Sequence, residues 1–582
     1  MSDHGLAQSA ARAFRSLPRF AKLLAPLRAQ LPPMVVWLLA GGLALPIGVH
    51  VYNSEDSSTV LFTAAVTLTI GALLVMLTRR VLVAAVLGAA LVAMIEIAAS
   101  MKQQTAELVL HSYELVSLIG SWSAVVQFWT GHRSGAQALL TGLVATAAAG
   151  WIAWHFDGSR VRRRHAGVAA LVFAGLAGIG AAAKGERRHT EFYFENVSLS
   201  FFYASWVETI EALWRGHLIE ASTRSRQPDL RLPTSCTPAP RRPHIILIHQ
   251  ESVVPPAYFL ALDYDRSLDR LFQSSDGPTR KLRVETFGGA SWLTEFSLLA
   301  GLSSRSFGGM QQFVQPFMAG KLRDTLPLAL ARCGYRNVMI YPMLRAFLNS
   351  GKFFTRAGFE EIRDAKDQGA KLTNERDRFY YTNALAEMEQ HFKRSASPLF
   401  LFVQTMATHG GYDYAYMPEV DVPGGGPGTH PEMHEYLRRL GMARMDYAFL
   451  RSELVRRFPG QEFLIAHYGD HQPTAALTLH GFGENASVEQ VMRSGNTAAL
   501  TTYYALDGVR YRLPPLAAIT SIDIAYLGTV ILEAAGLPLP ESHRERKRLM
   551  LLCGGRYHDC PAREEILRFH RRLIDAGLLD AK

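Results

Sequence analysis

Residues 462–473 read EFLIAHYGDHQP. The opening run is short, apolar and closed by a glycine, the pattern of a strand buried on both faces. Asp470 and His471 then stand side by side at its carboxyl end. In open α/β sheets, sites form outside the carboxyl ends of the strands. A carboxylate and an imidazole fixed on a strand end suit a divalent metal. Taken alone, Gly-Asp-His is an ordinary turn, so its weight depends on what the other strand ends carry.

Three further runs read as buried strands: 244–249 (HIILIH), 337–341 (NVMIY) and 399–404 (LFLFVQ). Each is followed by polar chemistry. Glu251 comes just after the first, Arg345 after the second, and Thr408 and His409 after the third. Helical stretches alternate with these runs. The expected fold is an α/β domain over residues 243–540, its mostly parallel central sheet sandwiched by helices. Ser291 follows Thr286-Phe287-Gly288-Gly289-Ala290 and opens an expected helix over 292–302. Glycines allow close approach of a substrate, and a helix start suits phosphate. Two readings of Ser291 stay open: a helix N-cap, or a nucleophile whose hydroxyl a metal activates.

Upstream the chain changes character. Of its 582 residues, those before about 183 are dominated by apolar runs. Stretches 34–52, 59–77, 81–100, 136–154 and 166–183 each approach the roughly 20 residues that span a bilayer. The expected fold is therefore a bundle of about five transmembrane helices followed by the α/β domain. Arg12, Arg15, Arg19, Lys22 and Arg28, interleaved with Phe14, Leu17, Phe20 and Leu23, suit a basic amphipathic helix on the cytoplasmic surface. Arg79 and Arg80 separate spans two and three, and Arg160, Arg162, Arg163 and Arg164 separate spans four and five. The positive-inside rule puts those links in the cytoplasm and the α/β domain outside, in a bacterial inner membrane. Lys184, Arg187 and Arg188 fall on the wrong side of this scheme. Stretch 108–128 is apolar but interrupted by His111 and Glu114, and reads as an outer-leaflet interfacial or re-entrant segment. Were it a sixth span, the domain would face the cytoplasm.

The net charge of +10 is not gathered into one basic face, which argues against a nucleic-acid partner. Residues 184–221 are amphipathic and aromatic, as at a membrane interface. Residues 222–243, rich in Pro, Ser and Arg, read as a linker, and the Gly-rich loop 422–434 as either a lid or an idle surface loop. The four cysteines show no zinc-finger spacing. Cys553 and Cys560, in the tail 541–582, are the best disulfide pair, with Cys236 and Cys333 left open between pairing and buried thiols.

The order of these pieces resembles the alkaline phosphatase/sulfatase superfamily, within it the lipoteichoic acid synthase and periplasmic glucan phosphoglycerol transferase branch. The pieces are HIILIHQES at Glu251, GGASWLTEF at Ser291, TMATHGG at His409 and YGDHQP at Asp470 and His471. The resemblance implies that Glu251, Ser291, Asp470 and His471 hold one divalent ion, Mn2+ or Mg2+ ahead of Zn2+. It implies that Ser291 replaces a threonine nucleophile and that His409 contacts the substrate phosphate. Trp292, Tyr341, Arg345 and Lys352 are the expected substrate-side residues, although the last three depart from the branch's His/Trp/Arg pattern. The implied reaction moves a phospholipid head group, phosphoglycerol first, onto a cell-envelope glycan or polymer through a phospho-serine. Phosphoethanolamine transfer is the nearest alternative. A sulfatase is disfavoured because Ser291 is followed by Trp-Leu-Thr-Glu and not by x-Pro-x-Arg. An inactive envelope scaffold sits poorly with the retained ligand set.

Overall fold

The structure is a computed structural model that describes residues 30–55, 59–106, 109–119, 133–183, 199–215, 218–223, 230–231, 236, 242–347, 350–517 and 519–580. The expected cytoplasmic helix before residue 30 and the stretch 120–128 lie outside these. The chain divides into two compact units, Met1–Ile210 and Glu211–Lys582.

Among the described residues of the first unit, five helices are long and apolar enough to cross a membrane. They are α1 (Pro33–Ser54), α2 (Val60–Thr78), α3 (Val81–Ala106), α4 (Arg133–Phe156) and α5 (Arg163–Ala183). Leu38, Leu45, Val144 and Leu171 stand exposed on them, as lipid-facing side chains do. The two Arg-rich links touch each other: Val161 N–H donates to the Arg79 carbonyl at 3.1 Å. Asp157 caps the start of α3, accepting from Leu82 and Val83 N–H at 2.8 and 3.3 Å. A carboxylate there satisfies orphan donors and meets the positive end of the helix dipole. Within 108–128 the described residues form only an eight-residue helix, Ser112–Ile119, far short of a span. Helix α6 (Leu199–Arg215) follows.

The second unit is built on an eight-stranded sheet of order β4-β3-β5-β1-β6-β7-β2-β8. The strands are β1 (His244–Gln250), β2 (Arg280–Arg283), β3 (Arg336–Ile340), β4 (Glu361–Arg363), β5 (Leu399–Gln404), β6 (Phe463–Gly469), β7 (Thr501–Val509) and β8 (Ser521–Asp523). β1 lies parallel between β5 and β6, and β3 parallel between β4 and β5. Only β7 runs antiparallel to its neighbours. β1, β5 and β6 are buried at every position, which is why they read as continuous apolar runs. Helices α8 (Asp377–Arg394) and α9 (Pro431–Arg457) pack together against this sheet's core. Helix α7 (Ser291–Ala300) begins one residue earlier than expected, which makes Ser291 its first helical residue.

The C-terminal tail packs into the same unit. Arg546, 1% exposed, donates to the Ala300 and Gly301 carbonyls and pairs with Asp324 at 3.0 Å. Cys553 and Cys560 form the expected disulfide. Cys236 and Cys333, 97 residues apart, are bonded as well, so the thiol alternative left open by the sequence does not hold. The backbone explains the pairing: Cys236 N–H donates to the Arg332 carbonyl at 3.3 Å.

Candidate metal centre

Side chains alternate across a strand, so His249 and Glu251 leave the end of β1 on one face. Beside them β6 ends at Gly469, where a Cβ would lie 1.8 Å from the Val253 carbonyl oxygen. Only glycine lets the two chains pass so closely, and that passage sets Asp470 against β1. Asp470 Oδ1 accepts from Ser252 N–H at 2.7 Å and His471 N–H at 2.8 Å. Its Oδ2 is buried and has no hydrogen-bond partner. It faces His249 Nε2 at 3.1 Å and His471 Nε2 at 3.3 Å.

Ser291 is brought in by α7. Thr294 Oγ1 donates to the Asp470 carbonyl at 2.8 Å, and Gly288 N–H to the Gln472 carbonyl at 3.0 Å. These bonds fasten the helix start to the end of β6. Ala290, not Ser291, occupies the N-cap, and its φ of 60° is unusual for a residue with a Cβ. Ser252, next to Glu251, has a φ of 57°. Such backbone strain tends to gather where a site demands it. Freed from capping, Ser291 Oγ lies 3.1 Å from Glu251 Oε2 and 3.3 Å from His471 Nε2.

Glu251, Ser291, Asp470 and His471 therefore share one locus with a fifth residue, His249, which the sequence reading missed. Donor atoms of His249, Glu251 and Asp470 lie within 4.8 Å of one another. The signal for His249 was strand parity: it sits two residues before Glu251 in a run otherwise read as core. Tyr468 Oη lies 2.9 Å from its Nδ1, which aims Nε2 at the cluster.

The electrostatics of the cluster suit a divalent cation. Burial alone would depress both imidazoles, but Asp470 and Glu251 lift His249 to about 10 and His471 to about 9. Burial would raise Glu251, yet contacts with His249 and His471 hold it well below its usual range. Two carboxylates thus attract two protons into a sealed space. The buried Asp470 oxygen that faces both imidazoles, the Glu251 carboxylate, two imidazole nitrogens and a serine hydroxyl make a nitrogen–oxygen donor set that could hold a divalent metal. Deeper in, Glu295 on α7 is pushed up by burial and accepts from Gln315 and Gln404 at 2.7 and 2.9 Å.

His409 is exposed, and its charge helps lower Glu251. Its loop is held from below by fully buried Arg439, which donates to the His409 and Gly411 carbonyls at 2.8 and 2.7 Å. Arg439 is paired with Glu435 at 2.9 Å and flanked by the rings of Tyr412, Tyr414 and Tyr416. Trp292 turns its Nε1–H to the Gln312 carbonyl at 3.0 Å. Among the described residues, Tyr341, Arg345 and Lys352 make no hydrogen bond or ion pair with the cluster. Tyr341 is buried beside Phe354, Arg345 pairs with Asp364 and Asp367, and Lys352 is exposed. The Gly-rich loop is pinned by a Tyr264–Gly425 bridge and by Gly426 N–H on the Asp263 carbonyl.

Asp377, at the start of α8, accepts Ala407 N–H at 3.0 Å and so supports the same loop. Burial, reinforced by Asp446, raises this carboxyl from 3.8 to about 7. Its folded pKa lies above its unfolded one, so the native state holds the extra proton between those values. Stability therefore falls as pH rises through that window and stays lower above it. Asp377→Asn keeps the acceptor and removes the charge. It should raise the unfolding free energy at pH 8, by at most about 4 kcal/mol, and change little at pH 4, as denaturant titrations at the two pH values would show. A gain of equal size at both pH values would contradict this account.

Comparison with known proteins places this geometry. Residues 246–493 match the family model described as Sulfatase. An uncharacterised Haemophilus influenzae protein is 26% identical over 242 residues, covering 40% of this chain and 41% of that one. The chain thus spans well under half the length of this curated relative. Among solved structures, a Streptococcus pyogenes phosphoglycerol transferase in complex with sn-glycerol-1-phosphate is 14% identical, with a TM-score of 0.46. It covers 61% of this chain and 89% of its own. The Neisseria meningitidis integral membrane lipooligosaccharide phosphoethanolamine transferase A is 13% identical, with a TM-score of 0.45, covering 85% and 96%.

Proposed function

Since residues 246–493 form a domain of the alkaline phosphatase/sulfatase superfamily, we propose that the protein is a membrane-anchored transferase. It moves a phospholipid-derived phospho-alcohol, phosphoglycerol in the first place, to a cell-envelope glycan or polymer through phospho-Ser291. One observation carries the reading: a serine hydroxyl at a helix start sits within hydrogen-bond reach of Glu251 and His471, beside an unpaired Asp470 oxygen.

Glu251, Asp470, His471 and Ser291, with His249, would hold the divalent ion. When bound, it supplies positive charge against the phosphoryl oxygens and makes the Ser291 hydroxyl more acidic. The residues do the rest. Glu251, whose Oε2 accepts from Ser291 Oγ at 3.1 Å, orients the hydroxyl and takes its proton as the oxygen attacks phosphorus. The start of α7, a helix N-terminus, suits the phosphoryl oxygens. His409 gives a proton to the departing diacylglycerol oxygen. An acceptor hydroxyl then displaces Ser291 from phosphorus and gives its proton to His409, while Glu251 returns the serine proton.

The test is the mass of the Ser291 peptide after the full chain is incubated with phospholipid and quenched in acid. Addition of glycerol phosphate is expected with phosphatidylglycerol. Addition of ethanolamine phosphate with phosphatidylethanolamine alone would transfer the reading to that head group. An unmodified Ser291 during turnover would end it.

A further inference from the structure

The membrane unit contains ionisable and hydroxyl side chains that the reaction above does not use. His50 Nε2 on α1 lies 3.3 Å from Glu96 Oε1 on α3, and the two side chains remain 45% and 22% exposed. Glu55, just past α1, is already satisfied by Thr59 Oγ1 and Ser200 N–H, both at 2.8 Å. Thr59, Thr63 and Thr67 recur every fourth residue and so share one face of α2. Thr67 Oγ1 lies 3.2 Å from Tyr203 Oη on α6. Tyr203 in turn feels the charges of Glu96 and Glu55. Between them Thr63 is fully buried, and its hydroxyl has no hydrogen-bond partner. Thr67 and Thr69, by contrast, bond back to carbonyls four residues earlier.

Charged groups in membrane spans are costly and tend to mark binding or transport sites. A pair serving only to tie α1 to α3 would be better sealed. Here the pair stays partly open, and on α2 the fully buried Thr63 hydroxyl lacks a partner. Depth is informative too. Glu96 lies 15 residues beyond Val81, about 22 Å along the axis from the Arg79–Arg80 end. In a hydrocarbon core of about 30 Å this is close to the opposite headgroup layer.

We propose that Glu96 and His50, with Thr63, Thr67 and Tyr203, form a site in the membrane unit for a phospholipid whose headgroup donates hydrogen bonds. The donor is an ammonium or a glycerol hydroxyl, and the acceptors are the Glu96 carboxylate and the neighbouring hydroxyl oxygens. A choline headgroup, which has no such hydrogen, fits poorly. The site is built from residues of the membrane unit alone and does not depend on the reaction assigned to Ser291.

Native mass spectrometry of the full chain tests this. The probe is an equal mixture of phosphatidylethanolamine, phosphatidylglycerol and phosphatidylcholine with matched acyl chains. Retention of one of the first two lipids at least tenfold over phosphatidylcholine is expected, and which one tells ammonium from hydroxyl. Glu96→Ala should abolish the preference, and Thr63→Val, which adds no charge and keeps the shape, should weaken it severalfold. Asp470→Asn should leave it intact. Absence of any preference overturns the site. So does a preference lost in Asp470→Asn and kept in Glu96→Ala, which would put the lipid at the Ser291 centre. A Glu96→Ala chain that unfolds earlier but keeps the preference would make the pair a structural tie only.

Discussion

Ser291→Ala should lower turnover on the order of 10^4-fold or more while leaving the protein folded. The loss is large because no neighbouring group can stand in for the hydroxyl. Glu251 Oε2 accepts from it at 3.1 Å, and Asp470 is held by two backbone N–H groups. The stability effect should be small, within about 1 kcal/mol, since Ser291 does not cap α7 and its contacts at 3.1 and 3.3 Å are long. Ser291→Thr retains the alcohol and should keep a measurable part of the rate. Turnover assays beside thermal unfolding decide the matter, and full activity in the alanine variant would remove Ser291 from the chemistry.

The second large effect belongs to Asp470. Asp470→Asn keeps an oxygen for the Ser252 and His471 N–H groups, so the fold should survive. It removes the charge that faces both imidazoles. Affinity for a divalent ion should fall more than about a hundredfold, and activity should fall with it, as metal content and titration calorimetry would show. In the wild type, binding must displace protons from His249 and His471, whose pKa values are lifted to about 10 and about 9. Binding should release protons below pH 9. Affinity should then drop up to about tenfold per pH unit for each imidazole still protonated. Binding that is indifferent to pH between 6 and 9 would exclude the two imidazoles from the ligand set.

How much of this was legible in the chain depended on burial. β1, β5 and β6 lie at the middle of the sheet and read as mostly apolar runs, because they are buried on both faces. β2 (RKLR), β4 (EIR) and β8 (SID) are short and charged, and they form only because a longer neighbour offers its hydrogen bonds. No local pattern announces them. At the site, Glu251, Asp470 and His471 could be found because each follows a legible strand. His249 could not, because inside an apolar run an imidazole looks like core. Tyr341, Arg345 and Lys352 stand at or after the end of β3 and outside the cluster, where Arg345 pairs with Asp364 and Asp367. The Cys236–Cys333 bond depends on a contact across 97 residues, which spacing cannot express.

Those two disulfides have a meaning beyond rigidity. Every cysteine in the chain is spoken for, all of them in the unit that follows the membrane helices. Such bonds endure where glutathione and thioredoxin do not reach them. On the outward placement expected from the Arg-rich links, the unit would be finished only after export, and its sulfur atoms would keep a record of the journey: a copy stranded on the wrong side would stay chemically incomplete even with every other residue in place.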